Sequence, residues 1–274
     1  MSKEYTRLLI DNRGDICWVT INRPGDRNSI DSAMMAELLD LLEDVEDTSA
    51  RALVFTGAGK AYFIGGADGI EMMKCDPPGA RRFSEQIQNL FNRMEASPLI
   101  LVAAINGFCF GGGFEFALAC DLRVAGQAAR IGLPEVKVGI IPGGGGTQRL
   151  PALVGSGRAM EMILTGKLFG GDDAYARGLV HRVAVPGELA AEVSAMLAPI
   201  FRNPQFALTQ AKHAVRASQY QSFDDSLQAE SEAFSQCFKQ GFFIRLMKQQ
   251  LKEGTLETTL PLPDWVHEDG KEKT

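Results

Sequence analysis

Between Pro98 and Cys120 the chain runs almost without charge, and its last thirteen residues, FCFGGGFEFALAC, hold a single one, Glu115. An ionised carboxylate among apolar side chains costs several kcal/mol unless it is paired, solvated or neutralised. This stretch constrains the fold more than any other. As a membrane span it would set Asn106, Glu115 and three consecutive glycines against hydrocarbon. As part of a globular protein it divides in three: LILVAAI is a fully buried strand, NGFCFGGG a turn, and FEFALAC the opening of a buried helix. Glycines after a strand let backbone or ligand approach closely, and a helix that starts there aims its free N–H groups back at the same place. Glu115 then lies within about the first turn. Two roles stay open for it on these residues: chemistry, or a structural glutamate bonded to neighbouring backbone.

The flanking sequence reads as α/β. TRLLIDNRGDICWVTIN is a hairpin around Asn12–Gly14. SIDSAMMAELLDLLEDVEDTS is an amphipathic helix capped by Asp31 or Ser29. ARALVFTGAG is a buried strand, and a helix runs near GARRFSEQIQNLFNRMEAS. DLRVAG and ARIGLPEVKVGI are further short strands. Strand, strand and helix therefore recur in order. After about Pro186 the pattern turns helical, through GELAAEVSAMLAPIFR, PQFALTQAKHAVRAS and FDDSLQAESEAFSQCF. The expected division is a core at 1–190, a C-terminal helical region at 191–255 and a polar, proline-broken tail at 256–274. A length of 274 residues, of which 45% are hydrophobic, is ample for a large core.

Several function classes fall away. The net charge of −6 includes no basic block for a nucleic-acid backbone. Cys17, Cys75, Cys109, Cys120 and Cys237 form no CxxC pair, and His181, His213 and His267 lie far from them, so no metal site is expected. Scattered thiols fit a reducing compartment. The charged N-terminus MSKEYTRLLIDNRGD lacks the apolar core of a signal peptide, so the expected location is cytoplasmic. TGAGKA at 56–61 fails as a P-loop: Val54 replaces the first glycine and Ala61 the Ser or Thr. The glycines at 107–113 lack the acidic residue about twenty positions on that a dinucleotide site needs. IPGGGGTQRL at 141–150 is a turn that lines a site or caps a helix.

Four segments carry a family resemblance. INRPGDRNSID, FIGGADGIEM, INGFCFGGGFEFALACDLRVA and LPEVKVGIIPGGGGTQRL resemble, in order and in register, the motifs of the enoyl-CoA hydratase/isomerase (crotonase) family. The similarity extends from about residue 7 to 250. It implies a spiral of strand-strand-helix units followed by a C-terminal helical region that mediates trimerisation, in a homotrimer or a dimer of trimers. It implies an acyl-CoA thioester substrate and no separate cofactor, CoA being part of the substrate. By position, the backbone N–H groups of Ala67 and Gly112 would form the oxyanion hole, and the loop of Gly65, Ala67, Asp68, Gly69 and Ile70 would bind substrate with Gly112. Hydratases of this family use two glutamates, and both matching positions are glutamate here, Glu115 and Glu135. The other reading of Glu135 is a surface residue after Pro134.

Some positions depart from the family pattern. Gly25 stands where Lys is frequent, which leaves Arg27 as the candidate cation for the CoA phosphates. Ile64 and Gly65 replace small Ser/Cys and Ala. Ile140 replaces Thr, and Phe110, Phe114 and Phe116 are bulkier than usual. The run KQGFFIRLMKQQLKEG lacks the frequent acidic pattern. A branched, cyclic or aromatic acyl group is therefore as open as a short straight one. The expected function is hydration of the 2,3 double bond of an enoyl-CoA. The alternatives are an isomerase or lyase of the same family using one glutamate, and a non-catalytic binding protein with this fold.

Overall fold

A computed structural model describes residues 5–254, so the expected tail at 256–274 lies outside the described residues. The first strands are β1 (Leu8–Arg13) and β2 (Ile16–Ile21), then α1 (Ser32–Glu46). Next come β3 (Ala52–Gly57), β4 (Tyr62–Ile64), the short α2 (Gly69–Met72) and the long α3 (Pro77–Ala96). The apolar segment follows as β5 (Ile100–Ile105), β6 (Phe108–Phe110) and α4 (Gly112–Ala119). After it the chain forms β7 (Leu122–Gly126), β8 (Arg130–Gly132), α5 (Gly146–Val154), α6 (Ser156–Thr165), β9 (Phe169–Gly170), α7 (Gly171–Ala176) and β10 (Arg182–Ala184). Helices α8 (Leu189–Ile200), α9 (Gln205–Tyr220), α10 (Phe223–Lys239) and α11 (Phe242–Lys252) complete it.

The spiral lies in the strand order. One sheet of six strands runs β1-β2-β3-β5-β7-β10, and a second of four runs β4-β6-β8-β9. In three successive passes the chain adds one strand to the large sheet (β3, β5, β7), one to the small sheet (β4, β6, β8), and then a helical segment. Within each set the neighbours are parallel. Every residue of β5 is buried, as expected for a central strand of a parallel sheet covered on both faces.

Local signals explain the helices. Asp31 caps α1 by accepting from the Met34 amide at 2.7 Å, and α1 buries Met34, Met35, Leu38, Leu41, Leu42 and Val45 at helical spacing. Asp76 caps α3 in the same way through the Gly79 amide at 2.8 Å, with Pro77 at the first helical position. Asp76 is exposed, so Asp76→Ala removes little but the cap. We expect it to lower unfolding stability by about 1 kcal/mol, read as a lower urea midpoint at unchanged slope.

Three sequence expectations need correction. The hairpin pairs as far as Arg13 with Ile16, so the turn is Gly14–Asp15 rather than Asn12–Gly14, with Gly14 at φ +60°. The segment NGFCFGGG is more than a turn, since β6 pairs with both β4 and β8. The strand in ARIGLPEVKVGI stops at Gly132, and Glu135–Val138 form a 3-10 helix closed by Gly139 at φ +79°. Pro134 has no N–H to offer a sheet, which forces that change.

The chain divides into two compact units, Met1–Arg202 and Asn203–Thr274. The first includes α8, whose Val193 and Leu197 are fully buried. The second, in its described residues, is α9 to α11, joined by ring contacts of Phe206 with Phe242 and of Phe238 with Phe234 and Phe243. Helix α11 lies within the helical region expected at 191–255, although no separate helix was assigned to its own residues. Among the described residues, no helix is long and apolar enough to cross a membrane.

Candidate active site

Helix α4 starts at Gly112 with no side-chain cap. Its apolar side chains turn inward: Phe116 meets the rings of Phe55, Phe63 and Phe91. Glu115, 2% exposed, turns instead to the glycine loop before α5. Its Oε1 accepts from the backbone N–H of Gly144 at 2.8 Å and of Gly146 at 2.7 Å. Gly146 is the first residue of α5, so the carboxylate also sits at a helix N-terminus, where negative charge is favoured. Two N–H donors and that helix end are what keep Glu115 in an apolar place. The loop must be glycine for this. A Cβ on Gly144 would lie 2.7 Å from Glu115 Oε2, and one on Gly146 would lie 2.9 Å from Oε1.

Glu135 is the first residue of the 3-10 helix. Its Oε1 lies 3.2 Å from where a Gly111 Cβ would stand, against the start of α4. Its Oε2 is buried and lacks a hydrogen-bond partner among the described residues. Burial pushes the Glu135 carboxyl up to about 7, and the negative charge of Glu115 adds to the rise against the pull of its own backbone amide. Burial also raises Glu115, but the Gly146 and Gly144 amides and the Arg149 guanidinium oppose the rise. The sequence-predicted pair is thus brought together at one helix start.

A raised folded-state value means that the folded protein holds the Glu135 proton more tightly than the unfolded chain does. That contribution to stability is complete below the ordinary value of 4.5 and is lost as pH rises through about 7. Glu135→Gln removes it. We expect the variant to melt above the parent at pH 8 and to lose this advantage by pH 5, as followed by scanning calorimetry.

Ala67 and Gly112 also meet. Ala67 bridges Ile30 in parallel fashion. The bonds of that bridge run from Ile30 N–H to Gly66 O and from Asp68 N–H to Ile30 O, so the Ala67 N–H points the other way. A Cβ on Gly112 would lie 2.9 Å from the Ala67 nitrogen, which places the two amides side by side. Neither N–H meets an acceptor among the described residues.

The remaining predicted site residues have varied surroundings. Gly65 donates to the Arg27 carbonyl at 2.9 Å, and its missing Cβ would stand 2.8 Å from that of Arg27. The Arg27 side chain is exposed and makes no ion pair among the described residues. Asp68 is already engaged: it caps α2 through the Ile70 and Glu71 amides and meets Arg23 Nη2 at 3.1 Å. Burial raises its carboxyl, but the Glu71 amide and Arg23 outweigh this and hold it below the usual range. Gly69 and Ile70 are exposed, Ile70 by 65%.

Sequence reasoning missed the support of the glycine loop. Arg149, 8% exposed, donates to the Gly144 carbonyl at 2.9 Å, to both oxygens of Glu95 at 3.0 and 3.1 Å and to Asn92 Oδ1 at 2.7 Å. Ser84 and Gln88 of α3 donate to the Gly143 carbonyl. Asn28, at φ 55°, ties its own turn to the Ala58 and Tyr62 carbonyls. The one signal was the motif IPGGGGTQRL itself. Nothing in sequence spacing links it to α3, more than fifty positions earlier. Among the described residues no group of three or more His, Cys, Asp or Glu side chains could hold a metal ion.

Comparison with known proteins finds related sequences and structures. Residues 11–248 match the model of the family described as enoyl-CoA hydratase/isomerase. A short-chain-enoyl-CoA hydratase of Clostridium acetobutylicum is 38% identical over 236 residues, covering 86% of this chain and 90% of its own. A crotonyl-CoA hydratase of Syntrophomonas wolfei is 36% identical over 235 residues, 85% of this chain and 90% of its own. Among solved structures, an enoyl-CoA hydratase from Bacillus anthracis superposes with a TM-score of 0.83 at 33% identity, covering 91% of this chain and 97% of that one.

Proposed function

Because the chain belongs to the enoyl-CoA hydratase/isomerase family, we propose that it adds water across the 2,3 double bond of an enoyl-CoA thioester. The observation that carries this reading is the unlike setting of two carboxylates at one helix start. Glu115 has two N–H donors and a nearby guanidinium to stabilise its charge. Glu135 has an unpartnered buried oxygen and a value near 7. Of the two, Glu115 holds the negative charge and Glu135 holds the proton.

The roles follow. The thioester oxygen sits between the N–H groups of Ala67 and Gly112, which stabilise the enolate as charge builds on it. Glu115 takes a proton from water as the water oxygen bonds to C3. The π electrons move to C2 and the thioester oxygen, and Glu135 delivers its proton to C2. The addition leaves Glu115 protonated and Glu135 ionised, and proton exchange with solvent restores both. The chemistry requires no cofactor beyond the CoA of the substrate. Arg27 is the cation we assign to the CoA phosphates, and Gly65, Gly69 and Ile70 line the same loop. Asp68 serves that loop by capping α2 rather than by touching substrate.

A panel of enoyl-CoA thioesters tests the proposal through loss of the conjugated double-bond absorbance and identification of the 3-hydroxyacyl product. Migration of the double bond with no uptake of water would move the assignment to the isomerase reading. Calorimetry adds a second check: the thioester binds and the corresponding free acid binds far more weakly, since the acid lacks the CoA contacts. Equal affinities would remove the thioester from the proposal. A homotrimer or dimer of trimers and a cytoplasmic location are part of the same proposal. The assembly predicts a mass of three or six chains in light scattering, and the five free cysteines support the reducing compartment.

A further inference from the structure

We infer that Ser84 and Gln88 of α3 are positioning residues for the catalytic carboxylate of Glu115, acting through the single peptide group that joins Gly143 to Gly144. This rests on the assignment of Glu115 as the base. A peptide group is rigid and planar, with its C=O and N–H pointing in opposite directions. The N–H of this one, carried by Gly144, donates to Glu115 Oε1 at 2.8 Å. Its C=O, carried by Gly143, accepts from Ser84 Oγ at 2.6 Å and from Gln88 Nε2 at 2.8 Å. Gln88 Nε2 also donates to Ser84 Oγ at 3.0 Å, which fixes the two side chains together. Fixing the carbonyl fixes the direction of the N–H. Two donors on the oxygen also polarise the peptide and strengthen its N–H as a donor.

The second donor to Glu115 does not depend on side chains in this way. The peptide that carries the Gly146 N–H has its carbonyl on Gly145, which accepts from the Gln148 and Arg149 amides as α5 begins. Helix geometry alone sets that donor. The flexible GGGG run leaves the Gly143–Gly144 peptide as the one whose aim is set by side chains on another helix. Arg149 holds the next carbonyl, that of Gly144. The charged groups facing Glu115 are Glu135 and Arg149, and Arg149 is itself paired with Glu95. Ser84 and Gln88 are uncharged, so replacing them alters the hydrogen bonding of Glu115 and leaves the charges around it in place.

The test is the double variant Ser84→Ala/Gln88→Leu, compared with Ser84→Thr, which keeps the hydroxyl. The readout is the pH profile of kcat/KM for hydration of an enoyl-CoA, measured beside melting temperature. With a weaker, misdirected Gly144 donor the Glu115 carboxylate is less stabilised. The acid limb should move up by about half a pH unit or more, and the plateau should fall by about threefold to tenfold. The basic limb should stay in place, and Ser84→Thr should retain the parent profile. A double variant that melts lower yet keeps the parent acid limb would make these residues merely structural and overturn the inference. Glu115→Gln separates the two levels. If that variant is inactive and the double variant's acid limb is unmoved, only this inference fails. If Glu115→Gln keeps its turnover, the base assignment and this inference fail together.

Discussion

Glutamine at position 115 or at position 135 should leave a folded protein that hydrates enoyl-CoA at least about 100-fold more slowly, the usual scale for a positioned acid or base. Gln keeps the size of Glu. At 115 its amide oxygen can still accept from the Gly144 and Gly146 amides. At 135 it removes a carboxyl whose ionisation is disfavoured by burial. The double variant should lose little beyond the slower single one, because both groups act in one step. The parent profile carries a further sign. In the proposed mechanism Glu135 enters the reaction protonated, so kcat/KM should fall as pH rises through about 7, and that basic limb should vanish from the residual activity of Glu135→Gln. A purely structural Glu115 would behave otherwise: its Gln variant would melt earlier while the folded fraction kept full turnover. Unchanged turnover in a folded Glu135→Gln would end the two-glutamate mechanism and favour the single-glutamate isomerase or lyase.

Gly112→Ala should be comparably damaging for a different reason. The Gly112 backbone is not in the left-handed region, so alanine fits the helix start locally. Its Cβ, however, would stand 2.9 Å from the Ala67 nitrogen, which spreads the two amides and fills the space where the thioester oxygen is proposed to bind. Loss of an oxyanion donor costs about 100-fold to 1000-fold in kcat, and we expect Gly112→Ala to fall in that range with the effect in kcat more than in KM. Gly157→Ala is the control, since a Cβ there meets nothing within 4 Å. If Gly112→Ala hydrates enoyl-CoA at the parent rate, these two amides are turn structure and the oxyanion assignment is lost.

Much of the fold was legible because its signals are local. The β5 run LILVAAI is short and closed by Asn106–Gly107, which favours a buried strand over a helix, and all of β5 is buried. Asp31 stands immediately before a helical apolar period and caps α1. The 3-10 helix at Glu135 was misread as strand, although Pro134 was a warning, because a short apolar run reads the same in either state. The catalytic candidates were legible in a different way: Glu115 as a lone charge in apolar surroundings, and Glu135, Ala67 and Gly112 by motif.

The strand-strand-helix order, the buried charge at 115 and the glycines that let backbone come close are local properties, each set by a residue and its near neighbours. The tertiary structure alone decided which groups serve those residues. The Ala67 and Gly112 amides come from separate passes of the spiral. The Glu115 donors come from a loop about thirty positions later, and that loop is held by α3, more than fifty positions earlier. It also decided that Asp68 caps a helix and that burial beside Glu115 raises the Glu135 carboxyl to about 7. Backbone N–H groups have no sequence signature, and a carboxyl's affinity for its proton depends on burial and on its neighbours in space. Both come into being only when the passes of the spiral close on one another.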